Sequence, residues 1–244
     1  MKKRILVWDL PVRLFHWILA ASFIGAFLIA NLVDDDSSWF ALHMLLGATM
    51  GFMVLLRVVW GVVGTRWARF RSFLFGPTSI LQYVRDAFAG EDEPHTGHNP
   101  GSSIAIFAIF VLTAGMVATG LLMSTGGELI EELHEIFAWA FLATVGVHIA
   151  GVLFHTLRHR ENIVGSMITG RKEREESEAI SSPRPVVALA FLVLTGGWAW
   201  GLYTGYDPAT GAVTLPGSGQ AIQVGEGEEH EEGGEHEESE EDFD

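Results

Sequence analysis

The sequence predicts an all-α integral membrane helix bundle with four core transmembrane helices and a shorter fifth. Three observations carry this prediction. Apolar residues make up 49% of the 244 and charged residues only 18%, and mean hydropathy is +0.29. The apolar residues fall in long blocks near 14–33, 41–63, 102–123, 135–157 and 186–203. Each block is close to the ~20 residues that cross ~30 Å of hydrocarbon as a helix, whereas a soluble domain scatters its apolar residues at helix or strand periods. Finally, the basic residues are confined to alternate connectors, the asymmetry of a multi-pass chain.

The first block follows Lys2, Lys3 and Arg4 and carries Arg13 and His16 near its start. Its apolar run is longer than the ~7–15 residues of a signal peptide, so a retained helix is expected. Pro11, in the stretch WDLPVR, suits a helix start. The second block begins near His43 and ends near Arg57, and the loop that follows holds Arg66, Arg69, Arg71 and Arg85. Within that loop, residues 77–89 (PTSILQYVRDAFA) set Ile80, Leu81, Val84 and Phe88 on one side, the pattern of an interfacial amphipathic helix. Residues 90–102 are a turn-rich approach to the third block. After the fourth block come Arg158, Arg160, Arg171, Lys172, Arg174 and Arg184, and then the fifth block. With five spans and a cytoplasmic N-terminus, all fifteen Lys and Arg fall on the cytoplasmic side.

Residues 204–244 differ in character. They carry thirteen acids and no Lys or Arg, so an acidic, disordered, extracytoplasmic tail is expected. His230 and His236 sit among its glutamates, where a solvated tail is the simpler reading than metal binding. The expected organisation is a membrane domain over 1–172, a linker and fifth helix over 173–203, and the tail over 204–244.

The chain has no cysteine. That excludes iron–sulfur clusters, covalent c-type haem and disulfides. Any metal centre must use His, Met or carboxylate.

Five of the ten histidines fall inside apolar blocks: His16 in the first, His43 in the second, and His134, His148 and His155 in the fourth. Ionisable groups within a membrane are costly and tend to be functional. At ~100° per residue, a spacing of fourteen falls ~40° short of four turns and a spacing of seven ~20° short of two. The three histidines of the fourth block therefore share a face. His134 and His148 lie ~21 Å apart along the axis, too far for one metal and suited to two sites near opposite surfaces. The direction of each span sets the levels. His43 matches His134 near the outer surface, and His16 matches His148 or His155 near the inner one.

Two imidazoles per level fit non-covalent bis-His haem b, because zinc prefers three or four protein ligands. His155 would lie ~31 Å from His134, at the interface, so apolar cover favours His148 as the inner ligand. From His43 onwards, Gly47 and Gly51 recur on one face, leaving room for a flat macrocycle or for small-residue helix packing. Arg13 and Arg57 lie near the inner surface, placed to pair with propionates or to anchor the span there.

Several stretches together resemble the bacterial cytochrome b561 / nickel–iron-hydrogenase b-type cytochrome family. They are WDLPVRLFHW (8–17), RVVWGVVGTRWARF (57–70), GHNPGS (97–102) and LHEIFAWAFLATVGVHIAGVLFHTLRHREN (133–162). The resemblance covers about residues 5–172. It implies a di-haem membrane cytochrome b of the bacterial inner membrane, with four core helices and His16, His43, His134 and His148 as axial ligands. It also implies electron transfer between the quinone pool and a redox partner, a cytochrome c or a hydrogenase-like subunit. The fifth helix and tail depart from the family, which leaves the partner open. Quinone chemistry needs titratable groups. On the inner side His155, His159 and His98, with the polar Asn99, are candidates, and on the outer side Glu128, Glu131, Glu132 and Glu135. Two other readings fit parts of the pattern: a stand-alone quinone oxidoreductase fed by a small diffusible donor, and a metal or ion transporter with a histidine-lined path. No nucleic-acid partner is expected.

Overall fold

The computed structural model describes residues 2–34, 37, 39–91 and 93–223. Four of its helices are long and apolar enough to cross a membrane. Helix α1 (Leu10–Leu32) starts at Asp9, whose carboxylate accepts from Val12 N at 2.9 Å, with Pro11 in the first turn. Helix α2 (Phe40–Val63) returns beside it. The amphipathic segment forms helix α3 (Pro77–Ala89), stopped by Gly90 in the left-handed conformation. Helix α4 (Pro100–His159) is capped by Asn99, whose side chain accepts from Ser102 N at 2.7 Å.

The 60 residues of α4 would span ~90 Å if straight. They fold back on themselves instead. Gly127 takes φ 59° and ψ −165°, a region open only to glycine. Across the bend Thr119 meets His134, and Gly115 sits close against the Phe137 ring. The result is a helical hairpin with arms 100–126 and 128–159. Short helix α5 (Ile163–Thr169) follows, and then α6 (Pro185–Gly205). Counting both arms of α4, five segments have membrane length.

Phe15, Leu19 and Phe23 of α1, Met50, Met53 and Val54 of α2, Phe141 of α4 and Phe191 of α6 form one core. The fifth membrane segment is therefore built into the bundle, packed against α1 and α2. Outward faces are apolar too: Leu32, Val62, Val63, Leu189 and Val193 are all exposed. Such faces suit lipid tails, not water.

Two small sheets complete the fold. Strand β1 (Lys3–Leu6) pairs antiparallel with β2 (Arg171–Arg174), with Leu6 opposite Arg171. Behind it Ile5, Val7, Trp8, Val12 and Ala68 form a second core. This pairing draws the N-terminus, the loop after α2 and the segment after α4 to one end of the bundle, the basic end. Gly127 marks the other.

The second sheet corrects an expectation. Residues 206–223, assigned above to a disordered tail, hold the antiparallel strands β3 (Tyr206–Asp207), β4 (Ala212–Thr214) and β5 (Ala221–Gln223). Acids are sparse there and Val213 is buried, so the stretch has apolar surface to fold on. His230, His236 and the acids beyond residue 223 lie outside the described residues.

Candidate functional site

At the Gly127 end, His43 and His134 face each other with ring centroids 6.1 Å apart and planes at 65°. Each ring is oriented through Nδ1. The Nδ1–H of His43 donates to Ala26 O at 2.8 Å. Thr119 gives its own hydroxyl proton to Gly115 O at 2.8 Å, so at 2.9 Å it accepts from His134 Nδ1. Fixing one ring nitrogen in this way sets the tautomer and leaves Nε2 unprotonated, able to accept a hydrogen bond or a metal. Phe40 stacks on His43 at 5.3 Å.

At the basic end, α1 carries His16 and the second arm of α4 carries His148. His16 Nδ1 is buried without a hydrogen-bond partner. His98, just before α4, is packed between Trp8 at 4.6 Å and Phe73 at 4.7 Å. Its Nε2 is also buried and unpartnered. Burial, reinforced by Arg57, Lys172, His148 and His16, pushes the His98 imidazole well below its ordinary pKa. It is therefore neutral at pH 7.

Arg57 is buried in α2. Its Nη2 donates to Ala68 O at 3.1 Å, and its Nη1 has no partner. Arg13 is committed elsewhere: Nε donates to Met167 O at 3.3 Å and Nη2 to Ile168 O, both in the last turn of α5. The glycines differ as well. Beside Gly47 there is open space, while a Cβ on Gly51 would meet Val117 at 2.9 Å. Gly51 thus serves helix packing, and Gly47 leaves a space on the His43 side of α2.

His155 sits in a different neighbourhood. Its Nε2 is 3.6 Å from Glu161 Oε2, and its ring packs against His159 with centroids 4.3 Å apart and planes tilted by 44°. Glu161 also meets Arg174 at 2.7 Å and Lys172 at 3.6 Å, and both cations donate to His95 O. Burial alone would raise the Glu161 carboxyl, but His155, Lys172 and Arg174 hold it down at about 2. Burial pushes Lys172 down to about 8 against the pull of Glu161.

The sequence pattern does not announce this ionic cluster, because its members sit on three different elements, the end of α4, the turn after it and β2, and single charges near a membrane surface look alike. Asp9 escaped notice for the same reason. It is 1% exposed and accepts from Trp60 Nε1 at 3.0 Å and Thr65 Oγ1 at 2.6 Å, tying WDLPVR to the loop after α2. The one available signal is an acid two residues before a proline at a helix start.

Among the described residues, no three His, Asp or Glu converge as a cage for a metal ion. What the bundle offers is imidazoles in twos. Two imidazoles trans to one metal at ~2 Å each leave their ring centres roughly 6 Å apart, which is the separation of His43 and His134. The unpartnered His16 Nδ1, His98 Nε2 and Arg57 Nη1 are buried groups suited to a polar edge of a bound group.

Membrane-length helices carrying such pairs define the class of membrane b-type cytochromes, which bind haem and transfer electrons. Residues 7–170 match the prokaryotic cytochrome b561 family, and the chain belongs to it. It is similar to the "Probable Ni/Fe-hydrogenase B-type cytochrome subunit" of Bradyrhizobium diazoefficiens, 26% identical over 213 residues, covering 68% of this chain and 85% of that protein. The Rhizobium leguminosarum bv. viciae protein of the same name is 25% identical over 221 residues, covering 72% and 92%. The "Probable Ni/Fe-hydrogenase 1 B-type cytochrome subunit" of Escherichia coli K12 is 20% identical over 214 residues, covering 69% and 91%. No solved structure matches the chain.

Proposed function

We propose that this cytochrome binds two b haems and carries electrons across the bacterial inner membrane between the quinone pool and a redox partner. His43 and His134 hold one haem, and His16 and His148 the other. When bound, haem would supply a one-electron Fe(III)/Fe(II) couple.

The chain's own residues set the conditions. Ala26 O and Thr119 accept from the Nδ1–H groups of His43 and His134 and raise the basicity of both rings. Arg57, with Nη1 free, meets a propionate at the basic end. His155 stays with Glu161, which supports His148 as the second ligand there. The fourteen-residue spacing of His134 and His148 puts the two pairs ~21 Å apart, on the scale of the bilayer core. The basic end lies in the cytoplasm by the positive-inside rule.

Quinone takes up two electrons and two protons to become quinol. His155, His159, His98 and Asn99 are the titratable or polar groups near the basic end, and Glu128, Glu131, Glu132 and Glu135 those near Gly127. The names of the relatives support a hydrogenase-type partner. The acidic residues beyond 223 suit a basic extracytoplasmic surface, such as that of a cytochrome c.

The observation that carries the reading is the His43–His134 pair, spaced for one iron with both Nδ1 atoms tied. A reduced-minus-oxidised spectrum of the purified protein with haem quantified tests it. Two b haems per chain are expected. One haem or none overturns the assignment.

A further inference from the structure

Helix α3 carries two apolar faces, and the bundle uses one of them. Ile80, Tyr83 and Ala87 follow the spacing of a helix stripe and are half-buried. Tyr83 packs on Gly101 of α4, where a Cβ would lie 3.2 Å from its ring. Leu81, Val84 and Phe88 repeat that spacing ~100° further round, and they are 61%, 40% and 91% exposed. The sequence groups Ile80 with this second set, and the structure separates it. Among the described residues Phe88 is the most exposed large apolar side chain, and Leu74, just before the helix, is exposed as well. A contiguous apolar stripe of this kind marks a surface with a partner.

The level of α3 in the bundle narrows what that partner is. Gly101, under Tyr83, is the second residue of α4. Gly90, which stops α3, lies beside Arg158, the next-to-last residue of α4, and a Cβ there would be 3.1 Å from Nη2. The helix therefore touches the ends of both arms of the hairpin, at points seven residues and ~10 Å apart along its own axis. It runs across the basic end, in the plane where the apolar blocks of both arms stop. At that end the outward residues of α4, Ile104, Leu153 and Leu157, are exposed and apolar. The stripe thus lies at the edge of a surface already suited to lipid tails.

The charges are placed for the same setting. Arg85 stands ~40° round from Leu81 and is exposed, as is Arg71 in the loop before α3. A guanidinium at the edge of an apolar stripe lays its stem on that surface and reaches phosphate with its head. Gln82, ~100° beyond Leu81, is exposed on the polar side. A protein partner is the poorer fit, because four apolar side chains fall short of the ~800 Å² per partner that a stable interface takes.

We propose that α3 is seated in the bilayer leaflet at the basic end, with Leu81, Val84 and Phe88 among the upper acyl chains and Arg85 at the phospholipid phosphates. Helices of this type lie ~5–10 Å into the boundary between headgroups and acyl chains. The seat ties the connector between α2 and α4 to the membrane, and with it His98 and Asn99, which stand between α3 and α4. It holds whatever the bundle binds, because it depends only on the helices being membrane spans.

The chain has no cysteine, so a single introduced one takes a label cleanly. Full-length Leu81→Cys, Phe88→Cys and Gln82→Cys, each with an environment-sensitive fluorophore, are placed in nanodiscs of phosphatidylcholine and phosphatidylglycerol. The labels at 81 and 88 should emit to the blue of the label at 82. They should be quenched by lipid bearing a nitroxide near its headgroup, and shielded several-fold from aqueous iodide. Adding Phe88→Asp to Leu81→Cys should return the label at 81 towards water, with the size-exclusion profile unchanged. Equal access of iodide to all three positions overturns the proposal. So does shielding from iodide without quenching by the nitroxide lipid, the result of a second copy or another protein covering the stripe. Should Phe88→Cys aggregate, the comparison of Leu81→Cys with Gln82→Cys decides.

Discussion

The two histidine pairs occupy opposite ends of one bundle and stand in different surroundings. His43 and His134 are steadied by neutral acceptors, a backbone carbonyl and a threonine hydroxyl. His98, which interacts with His16 and His148, also feels Arg57 and Lys172, buried cations that stand with the acids Asp9 and Glu161. If each pair holds a haem as proposed, positive charge near the basic end would favour Fe(II) there and raise that site's potential above the other.

The most severe way to break the comparison is to remove ligands one end at a time. His134→Ala should lose one of two haems, seen as a halving of the haem-to-protein ratio. His148→Ala should lose the other, with a different midpoint potential remaining. His155→Ala should keep both. Haem loss in His155→Ala together with retention in His148→Ala would reverse the assignment at the basic end.

Next in size is the ionic cluster that exists only at that end. Glu161→Gln strands Lys172 and Arg174, 4% and 11% exposed in their side chains, and should cost about 2–4 kcal/mol, measured as a fall in melting temperature in detergent. The pH dependence has a defined sign. Glu161 is held at about 2 against an ordinary 4.5, so its stabilisation is present above pH 4.5 and drains away as pH falls towards 2. In Glu161→Gln that part of the acid slope should vanish. Lys172 has the opposite character. Its value of about 8 lies below 10.5, so the unfolded chain binds the extra proton and stability rises between pH 8 and 10.5. Lys172→Met should flatten that rise.

Two smaller changes sharpen the electrostatic contrast. Arg57→Leu removes a buried cation worth about 1–2 kcal/mol at an effective dielectric near 20. The basic-end potential should drop by roughly 50–100 mV, with the other potential unmoved in a redox titration. Thr119→Val takes the acceptor from His134 Nδ1 and weakens that imidazole as a donor to iron. The Gly127-end potential should rise by about 10–40 mV, the cost of a fraction of one hydrogen bond. A shift at the basic end instead would contradict the contrast.

Much of this was legible in the chain. The segment 77–89 forms a helix over those residues. The predicted span 41–63 differs from α2 by one residue. His43 and His134 fall at one level because span directions and helical rise suffice to compute it. Other features had no local signature. Strands β1 and β2 are four residues each and about 165 apart in sequence. Their alternation is too brief to separate from a basic loop. The folded stretch 206–223 was hidden by the composition of the acidic residues that follow it.

The sequence by itself determined the class of protein, because a bilayer imposes a local requirement. About 20 apolar residues must run together, and a fixed helical rise then ranks histidines by depth. Tertiary structure alone decided what each polar group does. Only tertiary contacts tie Arg13 to α5, leave Arg57 with a free Nη1 and set Glu161 against Lys172 and Arg174 as well as His155. In a low-dielectric interior the identity of the neighbour, not the residue type, sets the energy of a polar group.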